Sequence, residues 1–75
     1  MKAYSLFIGR WQPWHAGHQW LIDQRLKEGK NVCIAIRDVE PNKDQPWTAE
    51  QIKHNLKTRF FNEIVDDKIK IIIIP

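Results

Sequence analysis

The sequence predicts an α/β domain built on a parallel sheet, and three observations carry that expectation. Apolar runs at 2–9, 31–36 and 68–74 are near-continuous, as strands buried on both faces are. The segments between them carry helical spacing of apolar residues. The two kinds alternate, as strand, helix, strand, helix, strand, which is the pattern of parallel strands joined by right-handed crossovers.

The first strand holds Tyr4, Leu6, Phe7 and Ile8. Residues 10–15 form a loop, with Pro13 barring helix before Trp14. The first helix covers 16–28, with Leu21, Ile22 and Leu26 on one stripe and Gly29 as its stop. The second strand runs Asn31 to Ile36, and Arg37 to Gln45 is a polar loop. Thr48 with Gln51 three residues on makes a capping box for the second helix, whose buried stripe is Ile52, Leu56 and Phe60. Asn62 to Asp67 reads as a turn region before the last strand. The expected strand order is 3-2-1, a Rossmann-like βαβαβ half of a nucleotide-binding sheet.

Such a sheet leaves the first strand at an edge, although that strand leads into the most distinctive stretch. Ile71 to Ile74 is a β-branched run that aggregates as a bare edge. The expectation is therefore that residues 1–75 are the N-terminal half of one domain, completed by further chain or by a partner such as a second copy. A self-sufficient small βαβαβ domain is the alternative. A chain of 75 residues buries only about 60% of its unfolded surface, so it is marginal alone.

Composition narrows the function. Twelve basic against 9 acidic residues give a net charge of +3, dispersed rather than striped, which argues against a nucleic-acid surface. No apolar stretch approaches the roughly 20 residues that span a bilayer. The N-terminus lacks a signal pattern, and the lone Cys33 allows no internal disulfide, so the cytoplasm is the expected compartment. Cys33 itself reads as a small buried hydrophobe. Four tryptophans are many for this length, and Trp11, Trp14 and Trp47 fall in or beside loops, where they line a pocket or lid a core.

The chemistry concentrates in Gly9-Arg10-Trp11-Gln12-Pro13-Trp14-His15-Ala16-Gly17-His18, between a strand and a helix start. A helix N-terminus presents unpaired N–H groups and partial positive charge, which suits phosphate. His15 and His18, three apart on the opening turn, point the same way and can donate to phosphate oxygens. Gly17 between them lets a ligand approach the backbone. As a metal site the pair supplies two ligands without a third, so none is expected. The plain structural reading is a pair of surface or cap histidines. Arg37 and Asp38, ending the second strand, are placed for a substrate contact or for a solvated ion pair with each other.

These residues resemble a known family. His15-Ala16-Gly17-His18 matches the H-x-G-H signature of the nucleotidyltransferase superfamily, which includes cytidylyltransferases and adenylyltransferases. The string from Phe7 to His18 is similar to the G-R-F-Q-P-F-H-x-G-H of archaeal-type nicotinamide-mononucleotide adenylyltransferases, with tryptophan for each phenylalanine. Pro46-Trp47-Thr48-Ala49 resembles their N-P-F-T-A. The resemblance implies transfer of a nucleoside monophosphate from CTP or ATP to a small phosphorylated acceptor, with release of pyrophosphate. It implies His15 and His18 on the phosphates, with Gly17 leaving room for the nucleotide. Arg10 would lie near the phosphates, Gly9 in a tight turn and Gln12 shaping the loop. The 37–45 loop, with Lys43, would face the acceptor. Apart from the resemblance, Trp47 is placed either to cover that loop or to pack over the second helix. Mg²⁺ would ride on the triphosphate rather than in a protein cage. An arginine that the archaeal-type enzymes carry before P-F-T-A is Asp44 here, and their second signature, I-S-S-T-x-x-R, does not occur. A non-catalytic nucleotide-binding module or an inactive fragment is the alternative. A class I synthetase-like fragment is disfavoured by the missing K-M-S-K-S.

Overall fold

A computed structural model describes residues 3–12 and 14–75. The readings made at Lys2 and Pro13 lie outside the described residues. The order is β1 (Tyr4–Gly9), α1 (Ala16–Lys27), β2 (Asn31–Arg37), α2 (Ala49–Arg59), α3 (Phe61–Val65) and β3 (Ile69–Ile74). The strands form one parallel sheet in the order β1-β2-β3, which is the expected α/β half-sheet.

Register explains the core. Phe7, Ile34 and Ile71 lie side by side across the strands, and side chains alternate faces along each strand. One face therefore carries Phe7, Val32, Ile34, Ile36, Ile69, Ile71 and Ile73, which pack with Ile22 of α1 and Ile52 and Leu56 of α2. Phe60, just past α2, closes the same cluster. Val32, Ile34 and Ile36 are at most 1% exposed, so the central strand anchors the domain.

The opposite face corrects the expectation that the first strand is buried on both sides. Leu6 and Ile8 alternate with Phe7 and are 57% and 56% exposed. An edge strand carrying apolar residues on both faces has the same sequence pattern as a buried one. On α1 the stripe narrows too. Ile22 is fully buried and Leu26 partly so, but Leu21 is 41% exposed.

The helix signals act as their chemistry dictates. The Thr48 hydroxyl accepts from the Gln51 N–H at 3.1 Å, and the Gln51 amide oxygen accepts from the Thr48 N–H at 2.8 Å. Gly29 takes φ +77°, a left-handed conformation that glycine adopts freely. The following Lys30 N–H then bonds back to the Arg25 carbonyl at 3.1 Å, closing α1. The expected turn at 62–67 is instead partly helix, α3, ended by Asp66 and Asp67. Among the described residues, no helix is long and apolar enough to cross a membrane.

Candidate functional site

The site is built where β1 and β2 end and α1 begins. Parallel sheets place ligands at the carboxyl ends of their strands, because the connecting loops and helix N-termini gather there. Gly9, Arg10, Gln12, His15, His18 and Arg37 line one cleft of about 490 Å³, with Ile8, Trp11 and Gln45.

Trp11 fixes the loop that forms this cleft. Its indole is 8% exposed and donates from Nε1 to the Ala35 carbonyl of β2 at 3.0 Å. Its backbone sits at φ +60°, which costs a bulky residue about 1–3 kcal/mol. The buried ring and its hydrogen bond hold that strain in place. Of the two roles open to a loop tryptophan, Trp11 takes both, joining the core cluster and lining the cleft. The Trp11 ring lies over the end of β1, 3.4 Å from where a Cβ on Gly9 would stand, which is ordinary van der Waals contact.

Gln12 ties this loop to the segment before α2. Its amide nitrogen donates to the Trp47 carbonyl at 2.8 Å, and its amide oxygen accepts from the Trp47 N–H at 3.0 Å. One side chain thus bridges backbone 35 residues away. Nothing local in the sequence marks that partner.

The two histidines form the cap of α1. His15 is the N-cap residue, with extended backbone at φ −140°, ψ 174°. Its Nδ1 accepts from the Gly17 N–H at 3.1 Å. His18 Nδ1 accepts from the His15 N–H at 3.4 Å. The rings stack with centroids 3.7 Å apart and an interplanar angle of 24°. An Nδ1 that accepts has no proton, so each neutral ring carries its proton on Nε2. The cap therefore selects the tautomer whose free nitrogen is a donor. Cap and anion donor are two uses of one side chain, and neither excludes the other.

Gly17 serves this pair directly. A Cβ there would lie 2.9 Å from His15 Cε1 and 3.0 Å from Nδ1. The missing side chain makes room for the imidazole, a constraint that H-x-G-H spacing alone does not disclose. Gly17→Ala is expected to swing His15 out and break its bond to the Gly17 N–H. Alanine favours helix over glycine by about 0.8–1.0 kcal/mol, so the fold should lose little. Calorimetry with a nucleoside triphosphate should show at least tenfold weaker binding and a melting temperature within a few degrees of the parent. Unchanged affinity would contradict the steric account.

His18 also touches the tryptophans, with ring centroids 5.0 Å from Trp11 and 5.2 Å from Trp14. Desolvation by these neighbours, followed by repulsion from His15, pulls its pKa below the ordinary value of about 6.5. The unfolded chain then binds the proton more readily than the folded one. Stability is full above about pH 6.5 and falls as the pH drops toward the lowered folded value. Thermal melts from pH 7.5 to 5 should show this decline, and His18→Gln should flatten it. A pH-independent melting temperature over that range would contradict it.

Other expected residues fall outside the histidine cleft. Asp38 gives its backbone N–H to the Ile74 carbonyl at 2.7 Å and makes no ion pair with Arg37. Lys43 is exposed in a turn organised by the Asn42 side chain, which accepts from the Asp44 and Gln45 N–H groups. Trp47 is 48% exposed and lines a different cleft. Gln45, at the end of the 37–45 loop expected to face the acceptor, lines the cleft although no motif singles it out. Arg10 reaches the Glu40 carbonyl at 3.4 Å, which draws the 37–45 loop toward the cleft.

Among the described residues, the lining contains two imidazoles and two guanidinium groups but no carboxylate. Chemically it can receive an anion and spread hydrogen bonds over several of its oxygens.

No family model matches the chain. No solved structure matches it either. It is 32% identical over 62 residues to the nicotinamide/nicotinic acid mononucleotide adenylyltransferase of Acinetobacter baylyi, covering 80% of this chain and 33% of that protein. It is 36% identical over 47 residues to the nicotinamide-nucleotide adenylyltransferase of Methanospirillum hungatei, and 38% over 47 residues to that of Methanococcus aeolicus. Each of these two matches covers 60% of this chain and 27% of the relative. The chain thus spans a third or less of the length of the curated relatives it matches. Over that span it is similar to nucleotidyltransferases, all three named as adenylyltransferases of nicotinamide nucleotides.

Proposed function

We propose that the histidine cleft binds the phosphates of a nucleoside triphosphate and serves transfer of the nucleoside monophosphate to a small phosphorylated acceptor, releasing pyrophosphate. The observation that carries this reading is the stacked histidine pair that caps α1 beside Arg10 and Arg37, with no carboxylate among the described lining residues. ATP is the favoured donor over CTP, because the similar enzymes are named adenylyltransferases. Their names also make a nicotinamide nucleotide the first acceptor to test.

In this reading the two Nε2–H groups donate to oxygens on the α-phosphorus, where charge grows as the acceptor phosphate attacks. Arg10 and Arg37 offset charge on the rest of the triphosphate. Such transfer needs positioning and charge stabilisation more than covalent chemistry. The cleft offers nitrogen donors and no oxygen cage, so it suits Mg²⁺ carried in on the nucleotide, where the ion offsets charge on the phosphates.

The test is pyrophosphate release from ATP or CTP with nicotinamide mononucleotide as acceptor. Release with ATP, and not without acceptor, supports the proposal. Binding of ATP with no pyrophosphate from either nucleotide would replace it with a non-catalytic nucleotide-binding module. The chain's match to only a third of those enzymes keeps that second reading in view.

A further inference from the structure

Behind the Trp11–Trp14 loop lies a second and larger cleft, of about 830 Å³, between that loop and α2. It contains neither histidine of the phosphate corner. Trp11 and Gln12 border both clefts and so form the partition. Its walls are aromatic: Trp14 is half-buried, and Trp47 is 48% exposed. Arg59, in the last turn of α2, lies with its guanidinium 5.6 Å from the Trp14 ring centroid. Arg59 is exposed and makes no ion pair among the described residues. His54 and Asn55 add hydrogen-bonding groups to the same wall, and among the described residues no aspartate or glutamate lines it.

From these features we infer that the second cleft binds a planar aromatic ring carrying an anionic group. The tryptophan faces supply area for a flat ring, at little cost in side-chain entropy. Tryptophan cages also hold cations, but a cation here would face Arg59 with no carboxylate to offset it. Arg59, already laid against Trp14, presents its planar fork to a carboxylate or phosphate at the ring's edge. The volume lies within the roughly 300–1,000 Å³ of small-molecule sites. Gln12 ties Trp47 to the partition through two hydrogen bonds, so the tryptophan wall is held by its backbone before any ligand arrives. This inference does not rest on nucleotidyl transfer in the first cleft.

The probe is 1-naphthoate, with the neutral 1-naphthamide as its control, titrated against the ¹⁵N-labelled chain while the indole N–H signals are followed. The expected result is that naphthoate shifts the Trp14 and Trp47 signals and binds at least tenfold more tightly than the amide. Arg59→Gln should remove that difference, and Trp47→Ala should weaken both ligands about tenfold. Both residues are exposed, and circular dichroism checks that the variants keep the fold. Equal binding of acid and amide would overturn the inference. So would naphthoate affinity indifferent to both variants, or lost in His15→Asn, which would place the ligand in the histidine cleft.

Discussion

His18→Gln and His15→Asn are each expected to lower pyrophosphate release by about 10²–10³-fold, the usual cost of one donor at a site of developing charge. These substitutions are chosen because each histidine also caps α1. Asparagine is a strong N-cap residue, and glutamine at the third helical position completes a capping box. Each variant keeps an acceptor for the backbone N–H that Nδ1 now receives, at Gly17 for one and at His15 for the other. Each loses the Nε2–H. The expectation is therefore a large fall in turnover with a melting temperature within a few degrees of the parent. Alanine at either position removes cap and donor together and confuses the two. Should turnover survive in both cap-preserving variants, the imidazoles are structural and the proposed chemistry fails. Should the melting temperature collapse instead, the cap is the larger role.

Trp11→Ala is expected to be the most destabilising single change, costing about 3–5 kcal/mol from the lost buried ring. The ring joins the core cluster, covers Gly9, and satisfies the Ala35 carbonyl. Small domains have about 5–15 kcal/mol in total, so this change removes a large share. Alanine at φ +60° keeps the backbone strain while losing the contacts that held it. Trp11→Gly should relieve the strain but still lose the ring, so it should recover only a small part. Urea unfolding of the three proteins measures this order. A Trp11→Ala protein within 1 kcal/mol of the parent, on the scale of an ordinary surface change, would show that the loop is held by something else.

Much of this fold was legible because single residues have strong local consequences. Thr48 with Gln51 marks a helix start, Gly29 marks a helix end, and Val32 to Ile36 is apolar at every position, as a strand covered on both faces is. The short helix α3 was not legible. Phe61 and Val65 are 65% and 67% exposed, so no buried stripe distinguishes it from a turn. The exposure of Leu6 and Ile8 was equally hidden, since apolar residues on an edge strand obey the same pattern as those in a core. At the site, spacing alone brings His15 and His18 together. Their tautomer is not a property of spacing. It follows from which backbone N–H each Nδ1 accepts. The bridge from Gln12 to Trp47 is long-range in the chain, and only the folded sheet brings its two loops side by side.

Two imidazoles cap α1, and in the proposed function their remaining nitrogens donate to one anion. The most direct measurement is a long-range ¹H–¹⁵N spectrum of the histidine rings near pH 7.5, recorded before and after adding ATP. His15 and His18 are both expected to be Nε2–H tautomers, with ATP moving both Nε2 signals while leaving His54 in place. Protons on Nδ1, or Nε2 signals indifferent to ATP, would contradict it.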